Sequence, residues 1–234
     1  MAARIGFRSF AACVLVACCA FTFGGCVTRS TVNESSPVAS PAEVPVPAAA
    51  DTRPKIVAFG DSLTAGYGLQ LDQAYPAALQ RLLDARGYQY EVVNAGVSGE
   101  TTAGGLRRID SALEGDVRVV IVALGGNDAL RGLPVSELAS NLDAIVAHAR
   151  GKGAKVLVAG MEAPPMMGSE YTSAFRAAYA EVGRKEHVDV IPFMLEGVAG
   201  RPELNQNDGL HPNVAGAAIV AQTVFDHLAP MLSR

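Results

Sequence analysis

Lys55-Ile56-Val57-Ala58-Phe59-Gly60-Asp61-Ser62 decides how this chain folds: an apolar run of strand length ends on a glycine and two short polar side chains. Residues 73–86 follow, with Tyr75, Ala78, Leu79, Leu82 and Leu83 at the three- and four-residue spacing of one helix face. The alternation then recurs. Strand-type runs fall at 90–93, 118–124, 155–159 and 188–191, and helical spacing at 102–113, 136–150, 170–186 and 212–231. Near-continuous apolar strands separated by amphipathic helices imply a parallel sheet covered on both faces, because parallel strands need crossovers and those crossovers are right-handed. The expected fold is α/β, a three-layer α/β/α sandwich with a five-stranded parallel sheet.

Upstream of this domain the composition changes. Arg4 and Arg8 precede an uncharged run over residues 10–23, and Gly24 and Gly25 close it, the layout of a secretory signal peptide over residues 1–25. The run is shorter than a comfortable bilayer span. Phe23-Gly24-Gly25-Cys26 resembles a bacterial lipobox, with Phe23 where that motif usually has an aliphatic residue. The resemblance implies lipid attachment at Cys26, a membrane anchor, and an outer-membrane lipoprotein facing the periplasm. Simple cleavage, giving a soluble periplasmic or secreted protein, is the alternative. Residues 26–53 are rich in Pro, Ser and Ala and carry Pro37, Pro41, Pro45 and Pro47, which favour an extended tether. The catalytic domain is expected over 54–234.

Half of the 234 residues are hydrophobic and 18% are charged, enough apolar matter for one sizeable core. The net charge of −4 argues against nucleic acid as a partner. Cys13, Cys18 and Cys19 lie in the leader, so Cys26 alone remains after processing and no internal disulfide or cysteine metal cluster can form.

Open parallel sheets bind ligands beyond the carboxyl ends of their strands. Those positions here read Gly60-Asp61-Ser62-Leu63, then Asn94-Ala95-Gly96-Val97-Ser98-Gly99-Glu100-Thr101, then Gly125-Gly126-Asn127-Asp128, with Asp208-Gly209-Leu210-His211-Pro212 before the last helix. A serine hydroxyl is a weak nucleophile until a base takes its proton, and imidazole titrates in the range where that transfer works at neutral pH. Ser62 and His211 supply that pair. Asp208 precedes His211 by three residues, so its carboxylate can meet the ring, fix its tautomer and stabilise its charged form. No Gly-x-Ser-x-Gly pentapeptide occurs, which argues against the α/β-hydrolase nucleophile elbow.

In order and placement these four blocks resemble those of the SGNH (GDSL) hydrolase family over nearly all of residues 55–234. Gly125-Gly126-Asn127-Asp128 running into Leu130-Arg131-Gly132 is most similar to its bacterial thioesterase I, lysophospholipase L1 and arylesterase group. The resemblance implies a flavodoxin-like fold, no metal or organic cofactor, and an oxyanion hole made by the backbone N–H groups of Ser62 and Gly99 with the Asn127 amide. It implies a serine esterase acting on acyl or aryl esters or thioesters, lysophospholipids among them, with a small-molecule or lipid ester as partner and a monomeric chain. Cell-envelope polysaccharide O-deacetylation is a second reading of the same triad, and a non-catalytic envelope binding protein a third. The absence of Trp and an aromatic content of 6% weaken the sugar reading.

Asp61 and Asp128 are expected to brace loops, and His148, His187 and His227 to be surface or structural residues. The Met161-Glu162-Ala163-Pro164-Pro165-Met166-Met167-Gly168 segment is expected at the site edge, where flexible methionines suit an apolar chain.

Overall fold

A computed structural model describes residues 51–233. Its five strands, β1 Lys55–Gly60, β2 Glu91–Gly96, β3 Val117–Ala123, β4 Lys155–Ala159 and β5 Asp189–Ile191, pair in parallel in the order β2-β1-β3-β4-β5. Ile56, Val57 and Phe59 of β1 are buried, as are Val119 to Val122 of β3. Each such side chain contributes about 1.5–3 kcal/mol through burial. Beyond Lys55, Arg118 and Lys155 at their starts, the central strands are therefore apolar at successive rather than alternate positions, as both covered faces require.

Strand order dictates where the helices lie. The chain steps from β1 to β2 in one direction and then, past β1, to β3, β4 and β5 in the other. Right-handed crossovers therefore put α2 (Tyr75–Ala85) on one face and α3 (Thr102–Ala112), α5 (Val135–Gly151) and α6 (Ser169–Glu186) on the opposite one. The last long helix, α7 (Val214–Leu228), joins α2, while α5 packs between α3 and α6. This reversal makes the carboxyl ends of β1 and β3 the topological switch point, the crevice where such sheets bind ligands.

The three-layer sandwich expected from the alternation is the observed fold, with two differences of detail. β2 extends to Gly96, so Asn94, Ala95 and Gly96 belong to the strand instead of following it. As an edge strand β2 is only partly buried, with Asn94 exposed, so its apolar signal fades after Val93 although its ladder to β1 continues to the Gly60–Gly96 pair. Two short helices, α1 (Ser62–Ala65) and α4 (Gly126–Leu130), had no periodic signal because neither completes two turns. They carry Ser62 and Asn127.

Cys26, the expected leader and most of the expected tether lie outside the described residues. The last three tether positions are described: Arg53 pairs with Asp51 and donates to Asp84 at the end of α2.

Candidate active site

Ser62 opens α1 directly after β1. The preceding Asp61 caps this helix, its carboxylate accepting from the Leu63 N–H at 3.1 Å, so the chain turns sharply and presents the hydroxyl at the sheet's carboxyl edge. Gly96 makes the turn possible: a Cβ there would lie 2.1 Å from the Ala65 nitrogen, so only glycine lets the end of β2 approach the backbone of α1.

His211 arrives from a loop that closes on itself. Asn205 and Pro212 form an antiparallel bridge, and the Gln206 N–H donates to the His211 carbonyl at 2.7 Å. Inside the loop the Asp208 carboxylate accepts from the Leu210 and His211 N–H groups at 2.9 and 3.0 Å, and its other oxygen meets His211 Nδ1 at 2.7 Å. These bonds, from the His211 and Leu210 backbone first and the imidazole next, hold the Asp208 carboxyl down at about 2. His211 Nε2 lies 2.9 Å from Ser62 Oγ across a sequence separation of 149 residues. Asp208, His211 and Ser62 thus form one unbroken hydrogen-bond relay.

The expected oxyanion donors follow the ends of β1, β2 and β3. Gly99 turns the loop after β2 with a φ of +79°, which favours glycine. Neither the Ser62 nor the Gly99 N–H donates to a group among the described residues. Asn127 differs: its Nδ2 donates to Asp61 at 3.1 Å and to the Glu100 carbonyl at 3.0 Å. Both amide hydrogens are already engaged, so an oxyanion has to share one of them. Burial pushes the Asp61 carboxyl up to about 6, against the opposing pull of the Leu63 N–H, the Asn127 amide and the His211 charge.

A buried frame holds this side in place. Asp128 accepts from the Thr102 N–H at 2.9 Å and from its hydroxyl at 2.6 Å, and Asn141 donates to the same hydroxyl. Asp61 and Asp128 therefore brace loops as the sequence suggested. The Arg108 guanidinium pairs with Glu100, donates to the Gly60 carbonyl at 3.1 Å and lies 4.1 Å from the centre of the Phe59 ring. Sequence reading missed both Arg108 and Glu100; a charged pair eight residues apart carries no signal that it ties α3 to the loop after β2 and to the end of β1. It also missed Tyr67, whose ring centre lies 4.7 Å from that of His211.

The remaining histidines fall away from the relay. His148 faces Asp110, His187 ends α6, and His227 bonds the Thr223 carbonyl within its own helix. In the methionine segment Met161 is buried and Met166 is 89% exposed. Among the described residues no three His, Cys, Asp or Glu side chains gather in metal-binding proximity.

Geometry of this kind on a parallel α/β sheet fits a hydrolase, and the known proteins this chain is similar to are hydrolases. The GDSL-like Lipase/Acylhydrolase family matches residues 58–219, and the chain belongs to that family. It is 42% identical over 178 residues to Esterase TesA of Pseudomonas aeruginosa, covering 76% of this chain and 89% of that protein. It is 35% identical over 188 residues to Thioesterase 1/protease 1/lysophospholipase L1 of Escherichia coli, covering 80% and 88%. The crystal structure of TesA superposes with a TM-score of 0.74 at 41% identity over 76% of this chain and 99% of that one. The psychrotrophic esterase EstA from Pseudoalteromonas, inhibited by monoethylphosphonate, gives 0.72 at 33% over 75% and 97%. The chain is an ester-cleaving hydrolase of the SGNH type.

Proposed function

We propose that Ser62, His211 and Asp208 are the catalytic triad of a serine esterase that hydrolyses acyl or aryl carboxylic esters or thioesters. The relay of 2.9 and 2.7 Å contacts is the observation that carries this reading. With Nδ1–H donating to Asp208, His211 Nε2 accepts the Ser62 proton as Oγ attacks the ester carbonyl. Negative charge then develops on the carbonyl oxygen, toward the Ser62 and Gly99 N–H groups and the Asn127 amide. The imidazolium returns its proton to the departing alcohol or thiol, leaving an acyl-enzyme, and a water activated by the same His211 releases the acid.

The surface supports an apolar acyl or aryl group lying over the outside of the protein. Behind Ser62, between Tyr75, Leu195 and Val220, the free space is about 10 Å³, at the lower limit for one water. By contrast, Tyr67, Val97, Leu130 and Leu210 are each about half exposed on the loops and short helices that carry Ser62, Gly99, Asn127 and His211. Fluorophosphonate labelling followed by peptide mass spectrometry tests the triad. Modification at Ser62, lost in His211→Ala, is expected; turnover of nitrophenyl esters without Ser62 modification sinks it.

The leader adds a location. Cys26 follows Gly24 and Gly25, and Val27 stands after it where Asp would retain a lipoprotein in the inner membrane, which supports acylation and an outer-membrane position facing the periplasm. Mass spectrometry of the mature N-terminus decides between diacylglycerol on Cys26 and an unmodified, soluble exported protein.

A further inference from the structure

The Asp208–His211 couple is a unit of one loop, and Ser62 belongs to α1. Something must hold the two units in register at 2.9 Å. The Gln206 side chain does this: its Nε2 donates to the Tyr67 carbonyl at 2.7 Å and to the Pro212 carbonyl at 3.0 Å, while its backbone N–H holds the His211 carbonyl at 2.7 Å. Tyr67 is itself fastened to the nucleophile, its N–H donating to the Ser62 carbonyl at 3.0 Å. The hydrogen bonds therefore run from the Ser62 carbonyl through the Tyr67 backbone and the Gln206 side-chain amide to the Pro212 carbonyl, with the Gln206 backbone N–H holding the neighbouring His211 carbonyl. Close packing reinforces the link, since a Cβ on Gly68 would lie 2.1 Å from Gln206 Oε1, and the Tyr67 ring rests against the imidazole on the same side.

Resting on the triad reading, we propose that Gln206 is a positioning residue: its amide clamps the loop carrying the base to the chain just after α1, the helix carrying the nucleophile, and so sets the Ser62–His211 contact. An amide is the side chain this task needs, because both targets are carbonyl oxygens and one NH₂ group can donate to both. Asp208 sits on the His211 side of the clamp, so its hold on the imidazole does not pass through Gln206. The clamp governs proton transfer from Ser62 and leaves Val97 and Leu130, the part of the exposed apolar surface outside the segments it joins, unchanged.

Gln206→Met keeps the length of the side chain and removes both donors. Two measurements are made on the full chain: kcat and KM for nitrophenyl butyrate, and the rate constant and final extent of fluorophosphonate labelling at Ser62. The expected result is a drop of about tenfold to a hundredfold in both kcat and the labelling rate constant, the range that misplacing a reacting group by about 1 Å produces, with KM within about twofold. The rate constant is read on the fraction that labels, so partial misfolding lowers the extent without altering that reading. Gln206→Asn, which keeps the amide but shortens its reach, should fall in rate almost as far. Labelling and kcat within about threefold of wild type in both variants overturn the clamp. Wild-type protein that does not label at all overturns the triad reading itself, and the clamp with it.

Discussion

The two sides of Ser62 are built in opposite ways. On one side, Asp208 and His211 come from a single loop, three residues apart and partly exposed, and three local bonds reach the Asp208 carboxylate, from the Leu210 N–H, the His211 N–H and the His211 ring. On the other, the proposed oxyanion donors Ser62, Gly99 and Asn127 come from three segments that follow three strands, two short helices and one loop, and their relative positions depend on the buried groups Asp61, Thr102 and Asp128. The base side is positioned by chain connectivity. The oxyanion side is positioned by the sheet.

That contrast predicts graded losses. Ser62→Ala removes the element both sides share and His211→Ala removes the base itself, and in each kcat should fall by roughly 10⁶-fold, the scale of a broken serine triad. Asp208→Ala breaks the base side alone; a steady-state assay should find a loss on the order of 10⁴-fold, smaller because the imidazole is still present. A loss as deep as that of Ser62→Ala would mean the loop collapses without its carboxylate. Asn127→Ala breaks the oxyanion side and should cost about 10²–10³ in kcat, with KM little changed. A rise in KM alone would assign the amide to ground-state binding, consistent with its existing bonds to Asp61 and Glu100.

Stability should separate the two sides as well. The Asp61 carboxyl is raised from 3.8 to about 6, so its contribution is fully present below pH 4 and is lost as pH rises through 6. Between pH 4 and 7 the wild type should lose on the order of 3 kcal/mol that Asp61→Asn keeps, measured by denaturant unfolding at each pH. Asp208 runs the other way: its carboxyl is lowered, so its contribution holds above pH 4 and fades as pH falls toward 2, outside that window. An Asp61→Asn difference that does not vary with pH would remove buried charge from the account of the oxyanion side. Thr102→Val strips a hydroxyl that serves both Asp128 and Asn141 and should lower stability by about 1–3 kcal/mol, read as a fall in Tm.

The arrangement of the chain was largely legible in its residues, and where it was not the reason is physical. β1, β4 and α6 begin or end within a residue of where their patterns placed them, because their periodicity is complete. The C-terminal half of β2 was illegible because this edge strand carries an exposed Asn94 and remains paired.

Sequence alone determined the α/β alternation, the five strands, the four motif blocks and the three-residue spacing that lets Asp208 reach His211. Each of these is a property of neighbours along the chain, where covalent geometry fixes the distance. Only the tertiary structure decided that His211 Nε2 meets Ser62 Oγ, that both Asn127 amide hydrogens are engaged, and that Gln206 reaches a carbonyl 139 residues away. Those distances depend on strand order, ladder register and the packing of α7 against α2, which no local pattern encodes.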